Sequence, residues 1–183
     1  MNRKEIVELE EQGKILIGID RPMARKFYTD IPISEIKSKT DEAPYFEKII
    51  IWFAFLMAPI ALISSITLSF IALKWWGSIL LIIFPIIYLS YSSASAIGTS
   101  RLTGITIIFV LSIIIHFTGF LPNSRITLSI TIFLLSLWCI RLLYCASTFL
   151  LRAFIIRNEK AFDYLKDYLI IKNVNSEFRG HNT

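Results

Sequence analysis

The sequence predicts an all-α, polytopic helical membrane protein: four transmembrane helices, a cytosolic N-terminal segment and a C-terminal amphipathic helix. Three observations carry this. No Asp or Glu occurs between Lys48 and Asn158, so every acidic residue lies in the flanks. That interval holds apolar runs such as IIIWFAFLMAPIALISSITLSFIAL and ITIIFVLSIIIHFTGFL, comparable to the roughly 20 residues a helix needs to cross a bilayer. Finally, 55% of the 183 residues are hydrophobic and 18% charged, with a mean hydropathy of +0.62, a balance typical of membrane chains.

The expected organisation is a cytosolic segment over 1–48, a transmembrane domain over 49–151, and a cytosolic amphipathic helix and tail over 152–183. Each flank is too short for a soluble core of its own. Asn2–Gln12 places Ile6 and Leu9 on one helical face, and Gly13 suits the helix end. Lys14–Ile19, KILIGI, is β-prone but short. Asp20-Arg-Pro reads as an N-cap with Pro in the first turn, opening a helical stretch over Pro22–Phe27. Ile31, Ile33 and Ile36, set among polar residues, suit a segment resting on a membrane surface.

Asp41-Glu-Ala-Pro44 predicts a helix start, with Asp41 as cap and acids in the first turn. The first span is expected over 49–73, kinked by Pro59. It follows a charged segment, not a signal-peptide pattern, and is expected to be an uncleaved signal anchor. Lys74-Trp-Trp-Gly77 has the Trp–Lys chemistry of a membrane interface. The second span, 78–96, contains Pro85 and ends in small polar residues. The third covers 102–121, Pro122–Arg125 is a tight turn, and the fourth covers 126–146. A helical pattern then continues through LLRAFIIRNEKAFDYLKDYLII, with Leu151, Ile155, Phe162, Leu165 and Leu169 on one stripe.

Orientation follows from the basic residues. Lys37, Lys39 and Lys48 precede the first span, and Arg152, Arg157 and Lys160 follow the fourth. The turns after spans one and three carry only Lys74 and Arg125. The positive-inside rule then places both termini in the cytoplasm, and the expected location is a bacterial inner membrane. The net charge of +5 comes from scattered residues and not from a clustered patch, so no nucleic-acid partner is expected. Cys139 and Cys145 are about 9 Å apart along a helix, too far for a disulfide.

Small residues repeat every fourth position as Ala61/Ser65/Ser69 and as Ser92/Ala96/Ser100. Such stripes let helices approach closely, and Ala61, Ser65, Ser69, Ser92 and Ala96 are candidate helix-packing positions. Two ionisable residues fall inside spans. Arg141 lies in the cytosolic third, where it either snorkels to the surface or faces an anion or partner. His116 lies in the outer third, with Ser112 one turn away as its plausible hydrogen-bond partner. Arg21, Arg25 and Lys26 form a basic cluster that suits anionic headgroups or a docked partner. These five, Arg141, His116, Arg21, Arg25 and Lys26, are the candidate partner or lipid contacts.

Nothing points to chemistry. Proton-coupled carriers and cation channels use intramembrane carboxylates, and this interval has none. H-E-x-x-H, G-x-S-x-G and P-loop patterns are absent, and two histidines make a poor metal set. No catalytic residue, cofactor or metal is expected, and the protein is read as non-enzymatic. The expected partners are membrane lipids and either another protein or further copies of the chain. The function expected is that of a small membrane protein of a bacterial conflict system: toxin immunity, exclusion of an invader, or a membrane-depolarising antiphage effector. The alternative is an accessory or scaffold subunit of a larger transport or secretion complex.

Overall fold

A computed structural model describes residues 3–12, 14–98, 102–119 and 123–173. The fold is mostly helical. Its order is α1 (Arg3–Glu11), β1 (Ile15–Ile19), α2 (Arg21–Thr29), α3 (Ile33–Thr40), α4 (Tyr45–Leu73), α5 (Gly77–Ile97), α6 (Leu102–Thr118), α7 (Ser124–Arg157), α8 (Glu159–Leu165) and β2 (Leu169–Asn173). The chain divides into two units, Met1–Ile49 with Ala146–Thr183, and Ile50–Cys145.

The terminal unit draws on both flanks and on the end of α7. Together they make one core, in which Phe27, Tyr28 and Ile36 are buried with Leu151, Phe154, Ile155, Phe162 and Leu165. KILIGI is a strand: β1 pairs antiparallel with β2, Ile15 opposite Asn173 and Ile19 opposite Leu169. Leu169, expected on the apolar helical stripe, and the β-branched Ile170 and Ile171 after it therefore lie in a strand and not in the helical pattern expected to run through them. That helix stops earlier, because Asn158 leaves the helical conformation and its side chain accepts from the Ala161 N–H (2.9 Å), capping α8. The C-terminal segment is thus the end of α7, a short helix and a strand, not one amphipathic helix.

Two local expectations are met and two are revised. Asp20 caps α2 by accepting from the Met23 N–H at 3.1 Å, with Pro22 in the first turn. The helix read over Asn2–Gln12 is α1. Asp41 ends α3 instead of starting α4: it adopts a left-handed φ of 61° and donates its N–H to the Lys37 carbonyl. Ile36 is wholly buried on α3, which packs on α8, so it faces protein and not a membrane surface.

In the second unit, α4 and α5 form a hairpin. The turn Lys74–Trp76 is 3-10 in geometry, and Lys74 has a positive φ of 52°. Gly77 lies so close to α4 that a Cβ there would stand 2.7 Å from the Phe70 Cα and the Ser69 carbonyl oxygen. All four helices of the unit feed one apolar cluster. Leu62 and Ile66 come from α4, Phe84 from α5, Ile105 from α6, and Phe133 and Leu137 from α7. Helix α7 is the central one: half of its most apolar stretch is buried, against 28% for Tyr45–Ile97. Tyr45–Ile97 and Ser124–Arg157 are long and apolar enough to cross a membrane; Leu102–Thr118 is apolar but shorter.

Candidate functional site

The second unit carries bulky apolar residues on its outside and, beside its buried apolar cluster, a seam of small polar residues in its interior. The buried face of α4 runs Ala54, Ala58, Ala61, Ser65, Ser69, while Phe53 and Ile63 on its other faces are 66% and 64% exposed. Helix α7 buries Thr127, Ser129, Ser136 and Arg141. Small hydroxyl-bearing residues thus meet in the interior and bulky apolar ones cover the outside. Close approach of the backbones follows, because serine adds little more volume than alanine.

The interior hydroxyls bond to one another and to backbone carbonyls. Ser129 donates to the Ser65 carbonyl at 2.7 Å. With its one proton spent there, Ser129 accepts from Ser69, 2.5 Å away. On the α6 side, the Trp138 indole N–H donates to the Thr106 hydroxyl at 3.1 Å, and the Thr131 hydroxyl shares its one proton between the Thr127 carbonyl of its own helix at 2.9 Å and the Ser112 carbonyl of α6 at 3.3 Å. Phe84 stacks on Phe133 with ring centroids 4.0 Å apart, which fixes α5 against α7. Helix α7 therefore makes a polar or aromatic link to each of the other three.

Arg141 closes this seam at the end of α5. It is 5% exposed, and its Nη1 donates to the Ser95 carbonyl at 3.3 Å. Ser95 belongs to the last turn of α5, whose carbonyls lack partners within the helix. Nearby, Gly98 takes a left-handed φ of 95° and donates its N–H to the Ala94 carbonyl. A cation at a helix C-terminus is favoured by the helix dipole. The Arg141 Nε, by contrast, is buried without a hydrogen-bond partner.

The other candidate residues fall in separate places. His116, half-buried on α6, has its ring edge-on to Phe117 and its Nδ1 without a hydrogen-bond partner. Ser112 donates to the Phe109 carbonyl in its own helix and not to His116. Arg21 and Arg25 are half-buried and Lys26 exposed on α2, in the terminal unit. Ala61, Ser65 and Ser69 are buried on α4. On α5, Ala96 packs beside Ala58, Cys139 and Tyr144, Ser92 is half-buried, and Ser95 is the fully buried serine. Ser100, Arg101 and Pro122 lie outside the described residues.

Ser95, Ser129, Ser136, Thr106 and Trp138 were not singled out from the sequence. The seven-residue spacing of Ser129 and Ser136 within an Ile/Leu-rich run is the signal that finds two of them. Among the described residues, no three His, Cys, Asp or Glu side chains gather to hold a metal ion. No protein family, curated protein or solved structure matches the chain.

Proposed function

We propose that the chain is a four-span protein of a bacterial inner membrane, with both termini cytoplasmic, that acts without catalysis in a conflict system. The observation that carries the membrane reading is the bulky apolar outer surface of Ile50–Cys145. Water would leave Phe53, Ile63, Ile82 and Leu89 as an apolar surface far beyond what soluble monomers expose. Lipid makes that surface favourable and makes the Ser/Thr seam a source of helix association. On this reading α4, α5, α6 and α7 are the spans. Trp75 and Trp76, both highly exposed, then sit at the interface their chemistry prefers.

The conflict-system role is supported by the combination of a small folded terminal unit with a bundle whose interior hydroxyls are engaged. The terminal unit offers a surface on which a trigger or partner docks. The seam is closed by its own hydrogen bonds, so a depolarising effector needs its helices to separate or several copies to assemble. Immunity and exclusion need only the resting bundle.

Two measurements test this. Reporter fusions at Glu11, Gly98 and Lys166 are expected to report cytoplasm, and fusions at Trp76 and Asn123 periplasm. A periplasmic Lys166 overturns the four-span topology. Expression with and without a phage or toxin challenge then tests the role. Triggered loss of membrane potential supports the effector form, and protection without cost supports immunity. A chain that is harmless, unprotective and co-purifies with a transport or secretion complex is a scaffold instead.

A further inference from the structure

We propose that Arg141 is the anchor of a phosphate-binding site at the cytoplasmic end of the bundle. The inference rests on the bilayer placement above but not on the conflict-system role. Three observations carry it. Arg141 is buried, and among the described residues its Nε has no hydrogen-bond partner and its Nη1 bonds the Ser95 carbonyl alone. The unit Ile50–Cys145 contains no Asp or Glu, and among the described residues no carboxylate forms an ion pair with Arg141. The C-terminus of α5 offers about half a negative charge. A buried guanidinium left half-balanced is costly, so the site favours an incoming anion.

Depth selects phosphate. Helix α5 has 21 residues, about 31 Å of helix, which matches the hydrocarbon thickness of a bilayer. Its last turn, where Ser95 meets Arg141, therefore emerges at the level of headgroup phosphates. The planar guanidinium, with one donor spent on a carbonyl, keeps a fork that suits two oxygens of one phosphate. The phosphate comes either from a phospholipid headgroup or from free phosphate, and the arms below separate the two.

The test is native mass spectrometry of the full chain in detergent, titrated separately with phosphatidylglycerol, with a galactosyl diacylglycerol that lacks phosphate, and with inorganic phosphate. One phosphatidylglycerol is expected to bind at least about ten-fold more tightly than the galactolipid, as for losing one charge-assisted bidentate contact. Arg141→Lys and Arg141→Gln are expected to abolish that preference, while Arg125→Lys, at an exposed position, keeps it. Competition by millimolar inorganic phosphate assigns the site to a free anion, and its failure assigns it to a headgroup. Equal binding of the two lipids with no phosphate binding overturns the proposal, as does an unchanged preference in Arg141→Lys. The lipid comparison uses the unaltered protein, so it stands even if a variant fails to fold. Release of the chain from membranes by alkaline carbonate would sink the bilayer placement instead, a separate outcome from loss of phosphate binding.

Discussion

Tyr28 and Glu10 show opposite ways of burying a polar group in the terminal unit. The Tyr28 side chain is wholly buried and its hydroxyl has no hydrogen-bond partner. Burial, then the nearby Glu47 carboxylate, push its phenol far above the ordinary tyrosine range. Tyr28→Phe removes an unsatisfied hydroxyl and is expected to stabilise the unit by about 1 kcal/mol. The raised phenol also gives a pH signature. Its contribution is full below the ordinary value of 10.0 and fades as pH climbs above it, because the unfolded phenol ionises first. Melting temperatures between pH 9 and pH 11 should fall less steeply in Tyr28→Phe; parallel curves would contradict the assignment. Glu10 is instead satisfied twice, accepting from the Ile17 N–H at 3.2 Å and pairing with Arg152. Glu10→Ala strands the Ile17 N–H and frees Arg152, whose side chain is 40% exposed and can turn to water, so the expected cost is about 1 kcal/mol in chemical unfolding.

At the scale of elements, the α4–α5 hairpin and the α4–α7 seam are the places where bulk is excluded. Gly77→Ala puts a methyl 2.7 Å from the backbone of α4, and relief requires the helices to part, at about 1–3 kcal/mol. Ser65→Leu is expected to be worse, since Ser65 is wholly buried and its carbonyl holds Ser129. Detergent-solubilised thermal melts should rank Ser65→Leu below Gly77→Ala and both below the parent. A Ser65→Leu protein that melts like the parent would place that stripe elsewhere. The stripe was legible in the sequence because Ala61, Ser65 and Ser69 repeat at helical spacing on a helix that is otherwise bulky. The partner face of α7 shows only a single seven-residue step, Ser129 to Ser136, which is fainter than a repeat at every fourth residue. Arg141 was legible as an unusual charge but not as a helix-end partner. Its acceptor, Ser95, lies on another helix, and no pattern along one helix reveals contacts to a second.

At the scale of the whole molecule, the helical content and the long apolar helices could be read from composition and run length, which are local properties. The terminal unit could not. KILIGI alone is too short to declare a strand, and Leu169–Ile171 alone continues a helical stripe; only their pairing decides both. Such pairing joins two segments that lie on either side of all the long helices and leaves no periodic trace in either. Removing β2 by stopping the chain after Leu165 is expected to make the terminal unit sensitive to protease while the bundle keeps its helical signal. Equal resistance in the shortened chain would show that β1 holds its place without a partner.

The pairing of β1 with β2 also sets a timetable. β1 leaves the ribosome before α4 to α7, with Ile15, Ile17 and Ile19 on the face that ends up buried, and β2 follows only after every intervening helix has been made. For the whole of that interval the early strand has an open edge, an invitation to chaperones and proteases alike. Only a chain translated past its last long helix can close it. A stalled or prematurely ended product therefore carries its own mark of incompleteness, and a finished one erases it by folding.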